Sequence, residues 1–166
     1  MPILQKDTFE FISRSPEQTQ RIGIRLGWYL HAEDVICLTG ELGSGKTTLV
    51  KGIAKGWGTD DAVTSPTFVL INQYSRPDDS ELYHLDAYRL NSSAEAEDLD
   101  LERLISTGPL IVEWPERISS SLPSESLWIE MSWVADEQRQ MVFKPKGKRY
   151  RELLNKLMEN MIKSLP

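Results

Sequence analysis

Apolar residues recur with two different periods along this chain, and these periods predict its strands and helices. Short continuous apolar runs bounded by turn residues are typical of buried strands. Two such runs are "DVICLTG", which ends at Gly40, and "PLIVEW", which ends before Pro115. The runs "TFVLINQY" and "ELYHLDAY" are joined by the turn-rich segment "SRPDDS" and predict a β-hairpin. Near the C-terminus, "SLWIEMSW" and "QRQMVFKP" predict strands at a half-exposed edge of the sheet.

Four other segments have the features of helices. The first follows Ser15, a suitable N-cap, with Pro16 at the first helical position and Gln18 completing a capping box. "KTTLVKGIAKGWG" predicts a helix ended by glycines, and "SSAEAEDLDLERLI" predicts a capped acidic helix. From Arg149 onward, apolar residues at helical spacing predict a C-terminal helix. Strands separated by helices predict an α/β fold of three layers, with a mostly parallel central sheet that also contains antiparallel strands.

Composition narrows the class of protein. A chain of 166 residues with 40% hydrophobic residues can bury a core, and we expect one domain over residues 1–166. The net charge of −6 argues against a general nucleic-acid coat protein. The lone cysteine, Cys37, lies in an apolar run and excludes a disulfide framework, so we expect a core residue in the reducing cytoplasm. There is no signal-peptide pattern and no apolar run near the ~20 residues of a membrane span.

Positive charge is concentrated at the C-terminal end. Residues 144–163 contain seven Lys or Arg and two Glu. We expect a basic helix from about residue 148, and two interpretations of its charges stay open. The charges are either a solvated helix face, or a contact for tRNA phosphates or an acidic partner surface.

One motif gives the strongest chemical signal. "GELGSGKT", residues 40–47, matches the G-x-x-x-x-G-K-[ST] pattern, with a predicted strand before it and a predicted helix after it. Glycines let backbone N–H groups wrap a phosphate, and the helix that follows adds the positive end of its dipole. In this P-loop, Lys46 is expected to reach the β- and γ-phosphates and Thr47 to offer its hydroxyl to Mg²⁺.

Two acids at predicted strand ends are candidates for the second half of a magnesium site. Asp86 ends "ELYHLD" and Glu113 ends "LIVE", and both strands are expected to neighbour the P-loop strand. We interpret Asp86 as the acid that holds Mg²⁺ through water or orders the Thr47 hydroxyl. Glu113 is interpreted as a direct metal ligand or a water-orienting group. Pro115 restricts Trp114, whose packed indole would fix the direction of the Glu113 carboxylate.

The segment "TSPTF", residues 64–68, lies between the predicted P-loop helix and the hairpin. In GTPase-like proteins this connection is a switch whose hydroxyl senses the γ-phosphate, and Ser65 and Thr67 supply hydroxyls here. A simple Ser-Pro turn is the alternative. His84 is a weaker candidate for a switch residue, because a histidine on a strand is more often a core or surface residue.

Taken together and in this order, "GELGSGKTTL", "TSPTF", "YHLDAYRL" and "VEWPE" resemble the TsaE (YjeE) family over about residues 15–145. The resemblance implies a P-loop ATPase needed for the threonylcarbamoyl group on adenosine 37 of tRNAs that read ANN codons. It also implies two partners, TsaD and TsaB, with tRNA approached only through their complex. ATP hydrolysis is then expected to reset that complex between turnovers.

The same resemblance implies roles for individual residues. The residues expected to hold ATP are Gly43, Ser44, Gly45, Lys46, Thr47 and Thr48. Thr47 and Glu113 would hold Mg²⁺ with help from Asp86, and Lys46, Asp86 and Glu113 would be the catalytic residues. Ser65, Thr67 and Trp114 would be switch or positioning residues. "SPEQT" resembles a family segment near the nucleotide base, which makes Thr19 a further candidate contact.

Two other functional classes share parts of this pattern. A small-molecule P-loop kinase also contains "GSGKTT", but it needs arginines that clamp the transferred phosphoryl group. The arginines between Lys51 and Pro145 are scattered and form no Arg-rich lid in the sequence. A GTPase-like switch would need an N/T-K-x-D segment for guanine, and the nearest candidate, "NKLM" at Asn155, lacks the aspartate.

Overall fold

A mixed sheet forms the centre of the computed structural model, which describes residues 8–64, 70–91 and 93–163. Its strands are β1 (Phe9–Ser13), β2 (Val35–Thr39), β3 (Ile71–Ser75), β4 (Glu81–Asp86), β5 (Leu110–Glu113), β6 (Ser126–Ala135) and β7 (Gln138–Lys146). The helices are α1 (Pro16–Gly27), α2 (Lys46–Trp57), α3 (Ser93–Glu97), α4 (Leu101–Thr107) and α5 (Lys148–Lys163). Short 3₁₀ turns at Pro115–Arg117 and Ser119–Ser121 follow β5.

The strands lie in the order β1-β7-β6-β2-β5-β4-β3. The four central strands β6, β2, β5 and β4 run parallel, and antiparallel pairs flank them on both sides. This arrangement confirms the predicted α/β fold. It also puts the C-terminal ends of β2, β5 and β4 at one edge of the sheet, where loops can build a site.

Alternating side chains divide the core between the two faces of the sheet. Ile36 and Leu38 of β2 pack in a cluster with α1, α2 and α5, whereas Val35 and Cys37 pack in a second cluster with α4. The three predicted layers are therefore present. Burial raises the pKa of the Cys37 thiol to about 12, which agrees with its predicted place as a core residue.

Close packing of α1 against α2 fixes the helix that carries the P-loop lysine. A Cβ at Gly27 would lie 2.2 Å from the Ile53 carbonyl oxygen, and one at Gly56 would lie 1.9 Å from the Ile24 carbonyl oxygen. Neither position can accept a side chain without moving a backbone. The N-terminus of α1 is capped as predicted, because the Ser15 hydroxyl accepts the Gln18 N–H at 3.1 Å.

Two predictions about elements need correction, and a third is tested only in part. The acidic segment forms two short helices, α3 and α4, because Asp100 adopts a left-handed conformation (φ 53°) between them. The strands β6 and β7 lie inside the sheet, because β1, which the sequence pattern did not predict, covers β7 as the edge strand. The first hairpin strand is described only from Ile71, and residues 65–69 lie outside the described residues. Among the described helices, none combines the length and apolarity that crossing a bilayer requires.

The basic helix α5 begins at Lys148, as predicted, but much of the positive charge around its start is engaged inside the protein. Arg149 donates to both carboxylate oxygens of the buried Asp34, at 2.9 and 2.8 Å, and to the Tyr29 carbonyl oxygen at 2.6 Å. Lys144 pairs with Glu130 at 2.7 Å, and the Lys146 ammonium lies 4.4 Å from the Trp128 ring centroid. Arg149 therefore fits neither predicted interpretation, since it is bound inside the fold, whereas the choice between a solvated face and a contact for tRNA or a partner stays open for the exposed charges.

Replacing Arg149 with methionine is therefore expected to destabilise the fold. The substitution removes both hydrogen bonds to a carboxylate that is 1% exposed, so the free energy of unfolding should fall by about 2–3 kcal/mol. Urea unfolding followed by circular dichroism measures the change. The matched control is Arg151→Met on the same helix, where the side chain is exposed and the change should stay below about 0.5 kcal/mol. Equal stabilities for the two variants would contradict the structural role of Arg149.

Candidate functional site

The P-loop connects the end of β2 to the start of α2 and has the backbone of an anion cradle. Gly40, Gly43 and Gly45 have φ values of 146°, 81° and 100°, a region that L side chains rarely adopt. A Cβ at Gly43 would meet nothing within 4 Å, so the space beside that residue is open. A side chain there would fill the cradle and strain the backbone.

The loop contains a buried hydroxyl without a described partner and a helix start without a side-chain cap. The buried Ser44 hydroxyl has no hydrogen-bond partner among the described residues. The residue before α2, Gly45, has no side chain to cap the first N–H groups of this 12-residue helix. Such uncapped N–H groups and the helix dipole favour a bound anion.

Lys46 lies at the start of α2 and is 8% exposed. Its ammonium donates to the carbonyl oxygens of Gly40 and Glu41, the latter at 3.1 Å, and lies 4.8 Å from the centroid of the Trp114 ring. Burial lowers the pKa of the lysine, and the nearby charges of Glu113 and Asp86 oppose that shift. The charge of Lys46 therefore interacts with the charges of both predicted acids.

Asp86 and Glu113 occupy paired positions at the ends of β4 and β5. The expectation that both strands neighbour the P-loop strand was half wrong: β5 lies beside β2, but β4 lies beyond β5. Glu113 is paired with Leu38 near the end of β2, so it lies one strand closer to the P-loop than Asp86. Both acids nevertheless reach the same sheet edge.

The two acids lie in different surroundings. Glu113 is 4% exposed, and its Oε2 lies 3.3 Å from Nε2 of the buried His84. Asp86 is half-buried and accepts the Tyr88 N–H at 2.9 Å. Burial raises the pKa of Asp86, and the neighbouring Glu113 charge raises it further. A cation placed between these carboxylates would offset their mutual repulsion.

Trp114 has a left-handed backbone (φ 59°, ψ 47°), which is unusual for an aromatic residue and follows directly on Glu113. The centroid of its ring lies 5.0 Å from that of Tyr88. The Arg117 guanidinium lies 5.0 Å from the centroid of the Tyr88 ring. With Lys46, these residues form a series of contacts in which two cations flank two neighbouring rings. The predicted role of Trp114 in aiming the Glu113 carboxylate stays a prediction.

One cavity of about 330 Å³ brings most of the predicted residues together. It is lined by residues 42–48, Asp86, Glu113, Trp114 and Arg139. Arg139 is the member that sequence reasoning missed. It lies on β7, far away in sequence, and its Cγ comes within 3.7 Å of a Cβ placed on Gly45. Its Nη1 donates to the carbonyl oxygens of Ala135, Asp136 and Gln138, which holds the guanidinium at the turn between β6 and β7.

Three predicted residues remain, one that lies away from the described lining of this cavity and two that lie outside the described residues. Thr19 is buried in α1, and its hydroxyl donates to the Ser13 hydroxyl at 2.6 Å. A contact of Thr19 with a nucleotide base therefore stays a prediction. Ser65 and Thr67 lie outside the described residues, so their predicted switch roles also stay predictions.

The arrangement suits a phosphate ester with a divalent cation. An open glycine cradle, a serine hydroxyl without a partner among the described residues, two cationic residues and two acids line one cavity. Mg²⁺ in proteins commonly takes one or two carboxylates and completes its shell with phosphate oxygens and water. The residues present therefore fit both a nucleotide phosphate chain and Mg²⁺.

Comparison with known proteins gives a consistent result. A model of the family "Threonylcarbamoyl adenosine biosynthesis protein TsaE" matches residues 13–141. The chain is 38% identical over 144 residues to the tRNA threonylcarbamoyladenosine biosynthesis protein TsaE of Bacillus subtilis, covering 86% of this chain and 89% of that one. It is 40% identical over 137 residues to the Streptomyces coelicolor TsaE, covering 79% and 93%. The crystal structure of Bacillus subtilis YdiB superposes with a TM-score of 0.76 at 33% identity, covering 93% and 96%.

Proposed function

This chain belongs to the TsaE family of tRNA threonylcarbamoyladenosine biosynthesis proteins, and from that membership we propose that it is a magnesium-dependent P-loop ATPase. Its hydrolysis of ATP supports formation of the threonylcarbamoyl group on adenosine 37 of tRNAs that read ANN codons. The observation that carries the ATPase proposal is the cavity in which the P-loop, Lys46 and two strand-end acids meet.

Each part of the cavity has a definite task in this proposal. Backbone N–H groups of Gly43 and Gly45, the Ser44 hydroxyl and the start of α2 hold the phosphate chain of ATP. Lys46 supplies positive charge to the β- and γ-phosphates, where negative charge develops during phosphoryl transfer. The Thr48 side chain lies in the same wall of the cavity and completes the cradle.

Mg²⁺ would be held by the Thr47 hydroxyl and Glu113, with Asp86 assisting through water. When bound, Mg²⁺ supplies Lewis-acid polarisation and neutralises phosphate charge. The protein's own contribution is to hold the two acids at paired strand ends, with Glu113 almost fully removed from solvent. Burial of Glu113 strengthens the charge interactions of its carboxylate.

Nucleotide titration of the purified chain tests the proposal. We expect binding of ATP or ADP that depends on Mg²⁺, together with release of inorganic phosphate in the absence of any small phosphoryl acceptor. Binding of GTP in preference to ATP would favour a GTPase-like switch. Phosphorylation of a small acceptor would favour a kinase. No nucleotide binding in the presence of Mg²⁺ would refute the proposal.

Hydrolysis by the chain alone is expected to be slow and to rise markedly when TsaD and TsaB from the same source are added. The physical reason is size, because most of the 166 residues belong to the nucleotide-binding core. Phosphate release with and without the two partners measures the effect. A rate that is equally fast without them would favour a self-sufficient hydrolase.

A further inference from the structure

His84 is a fully buried histidine that connects the candidate site to a second polar residue. It lies on β4, two positions before Asp86, so the two side chains point to the same face of the sheet. Its Nε2 lies 3.3 Å from Glu113 Oε2, and its Nδ1 lies 3.1 Å from the Tyr74 hydroxyl. Both ring nitrogens are therefore engaged.

Tyr74 extends this chain of contacts to the backbone before the hairpin. Its hydroxyl lies 3.3 Å from the carbonyl oxygen of Thr64, which also accepts Nδ2–H of Asn72 at 2.9 Å. Tyr74 is 3% exposed, and burial raises the pKa of its hydroxyl, so the proton stays on the oxygen. The far end of the chain of contacts is thus fixed to the body of the protein.

Proton counting determines how these groups are arranged. An ionised carboxylate only accepts hydrogen bonds, so the His84 nitrogen that faces Glu113 must carry hydrogen. In a neutral ring the other nitrogen, Nδ1, is then an acceptor for the single proton of the Tyr74 hydroxyl. The Thr64 carbonyl oxygen keeps the Asn72 amide as its donor. This arrangement satisfies every polar group in the chain of contacts, and its essential feature is the Nε2–H that faces Glu113.

We propose that His84 is a positioning residue for Glu113, holding its Oε2 through Nε2–H while Tyr74 fixes the ring from the other side. The inference rests on the proposed function, in which Glu113 is a ligand of Mg²⁺. Histidine and carboxylate groups that hold a metal ligand fix its orientation and tune its affinity for the metal. Because the ring is buried and held at both nitrogens, the Glu113 carboxylate has its direction set within the protein itself.

The hydrogen bond can be observed without turnover. The chain has two histidines, His84 and His31. The side chain of His31 is 64% exposed, so its replacement by glutamine removes one imidazole from the ¹⁵N NMR spectrum and thereby assigns both. We expect a proton on Nε2 of His84 that exchanges slowly with water, because this nitrogen is buried and faces Glu113. A ring without a proton on Nε2, or rapid averaging of the proton between the two nitrogens, would overturn the inference.

Kinetics test the positioning role itself. Replacing His84 with leucine keeps an apolar volume but removes the donor, so we expect kcat for ATP hydrolysis to fall about 10- to 100-fold. The Mg²⁺ concentration for half-maximal rate should rise, whereas KM for ATP at saturating Mg²⁺ changes little. His84→Gln, which restores a side-chain N–H, should recover part of the loss. A purely structural role would move the melting temperature without this Mg²⁺ dependence.

Two hydroxyl deletions on neighbouring strands give a matched control that avoids replacing the histidine. Tyr74→Phe removes the hydroxyl that faces His84 and should lower kcat several-fold. Tyr83→Phe removes a hydroxyl that bonds Thr107 at 2.8 Å, away from the cavity, and should leave kcat unchanged. Wild-type turnover combined with unchanged kcat and Mg²⁺ dependence in the His84 and Tyr74 variants would overturn this inference alone. Absence of nucleotide binding and hydrolysis in the wild type, with its partners present, would instead refute the proposed function.

Discussion

Replacing Lys46 with alanine is expected to lower ATP hydrolysis by about 10²- to 10³-fold, as the loss of one preorganised donor to a developing charge does elsewhere. The lysine is the cation that the fold holds at the start of α2, beside the open cradle at Gly43. Its ammonium is a charge-assisted donor that matters more in the transition state than in the ground state. Phosphate release at saturating ATP measures the loss, and nucleotide titration should show a smaller change in affinity.

The matched control for this variant is Lys51→Ala, which removes the same charge from the exposed side of the same helix. Its rate should stay within a factor of about two, because exposed charges are screened by solvent and salt. If Lys46→Ala and Lys51→Ala hydrolyse ATP equally well, the P-loop lysine has no catalytic role and the cavity is not the reaction site.

Glu113→Gln is expected to lower turnover by about 10²-fold while the fold is retained. The amide has nearly the same volume as the carboxylate, and its oxygen can still accept the hydrogen bond from His84, so the substitution removes charge with little change in packing. Loss of that charge weakens the site for Mg²⁺, and excess Mg²⁺ should recover part of the rate. Turnover as a function of Mg²⁺ concentration, together with the melting temperature, measures both effects. Asp86→Asn should also lower turnover, because both acids line the same cavity.

A comparison with Glu116→Gln separates position from net charge. Glu116 is exposed on the turn after β5, yet its charge also acts on the Lys46 ammonium. Its replacement changes the net charge by the same amount and should leave turnover nearly unchanged. If Glu116→Gln loses as much turnover as Glu113→Gln, the rate depends on the summed negative charge of the acids and not on the position of Glu113.

Local signals in the sequence were sufficient for the elements that position the P-loop. The glycine spacing at residues 40–45 and the cap at Ser15 act within a few residues, so the loop and α1 could be predicted without knowledge of the whole fold. The strand ends at Asp86 and Glu113 could also be predicted, because apolar runs stop at both. What the pattern lacked was strand order, which depends on contacts between distant parts of the chain.

The side-chain contacts that the sequence did not predict are those between distant parts of the chain. Arg139 enters the cavity only because β7 pairs with β6, which in turn lies beside β2. His84 looks like an ordinary strand residue until the pairing of β4 with β5 brings it to Glu113. Arg149 looked like a surface charge because its partner, Asp34, lies 115 positions earlier in the chain. Each case depends on side chains that meet across long sequence separations.

The most direct test of the account is multiple-turnover modification of tRNA in a reconstituted system. The wild-type chain or its Lys46→Ala variant is mixed with TsaD, TsaB, tRNA and the threonylcarbamoyl donor, with ATP and Mg²⁺ present. Modified tRNA formed per TsaD–TsaB complex and phosphate released are then measured together. With the wild type we expect repeated rounds of tRNA modification and of phosphate release. With Lys46→Ala we expect modification to stop after the first round. Equal modification with both chains, or with no chain added, would contradict it.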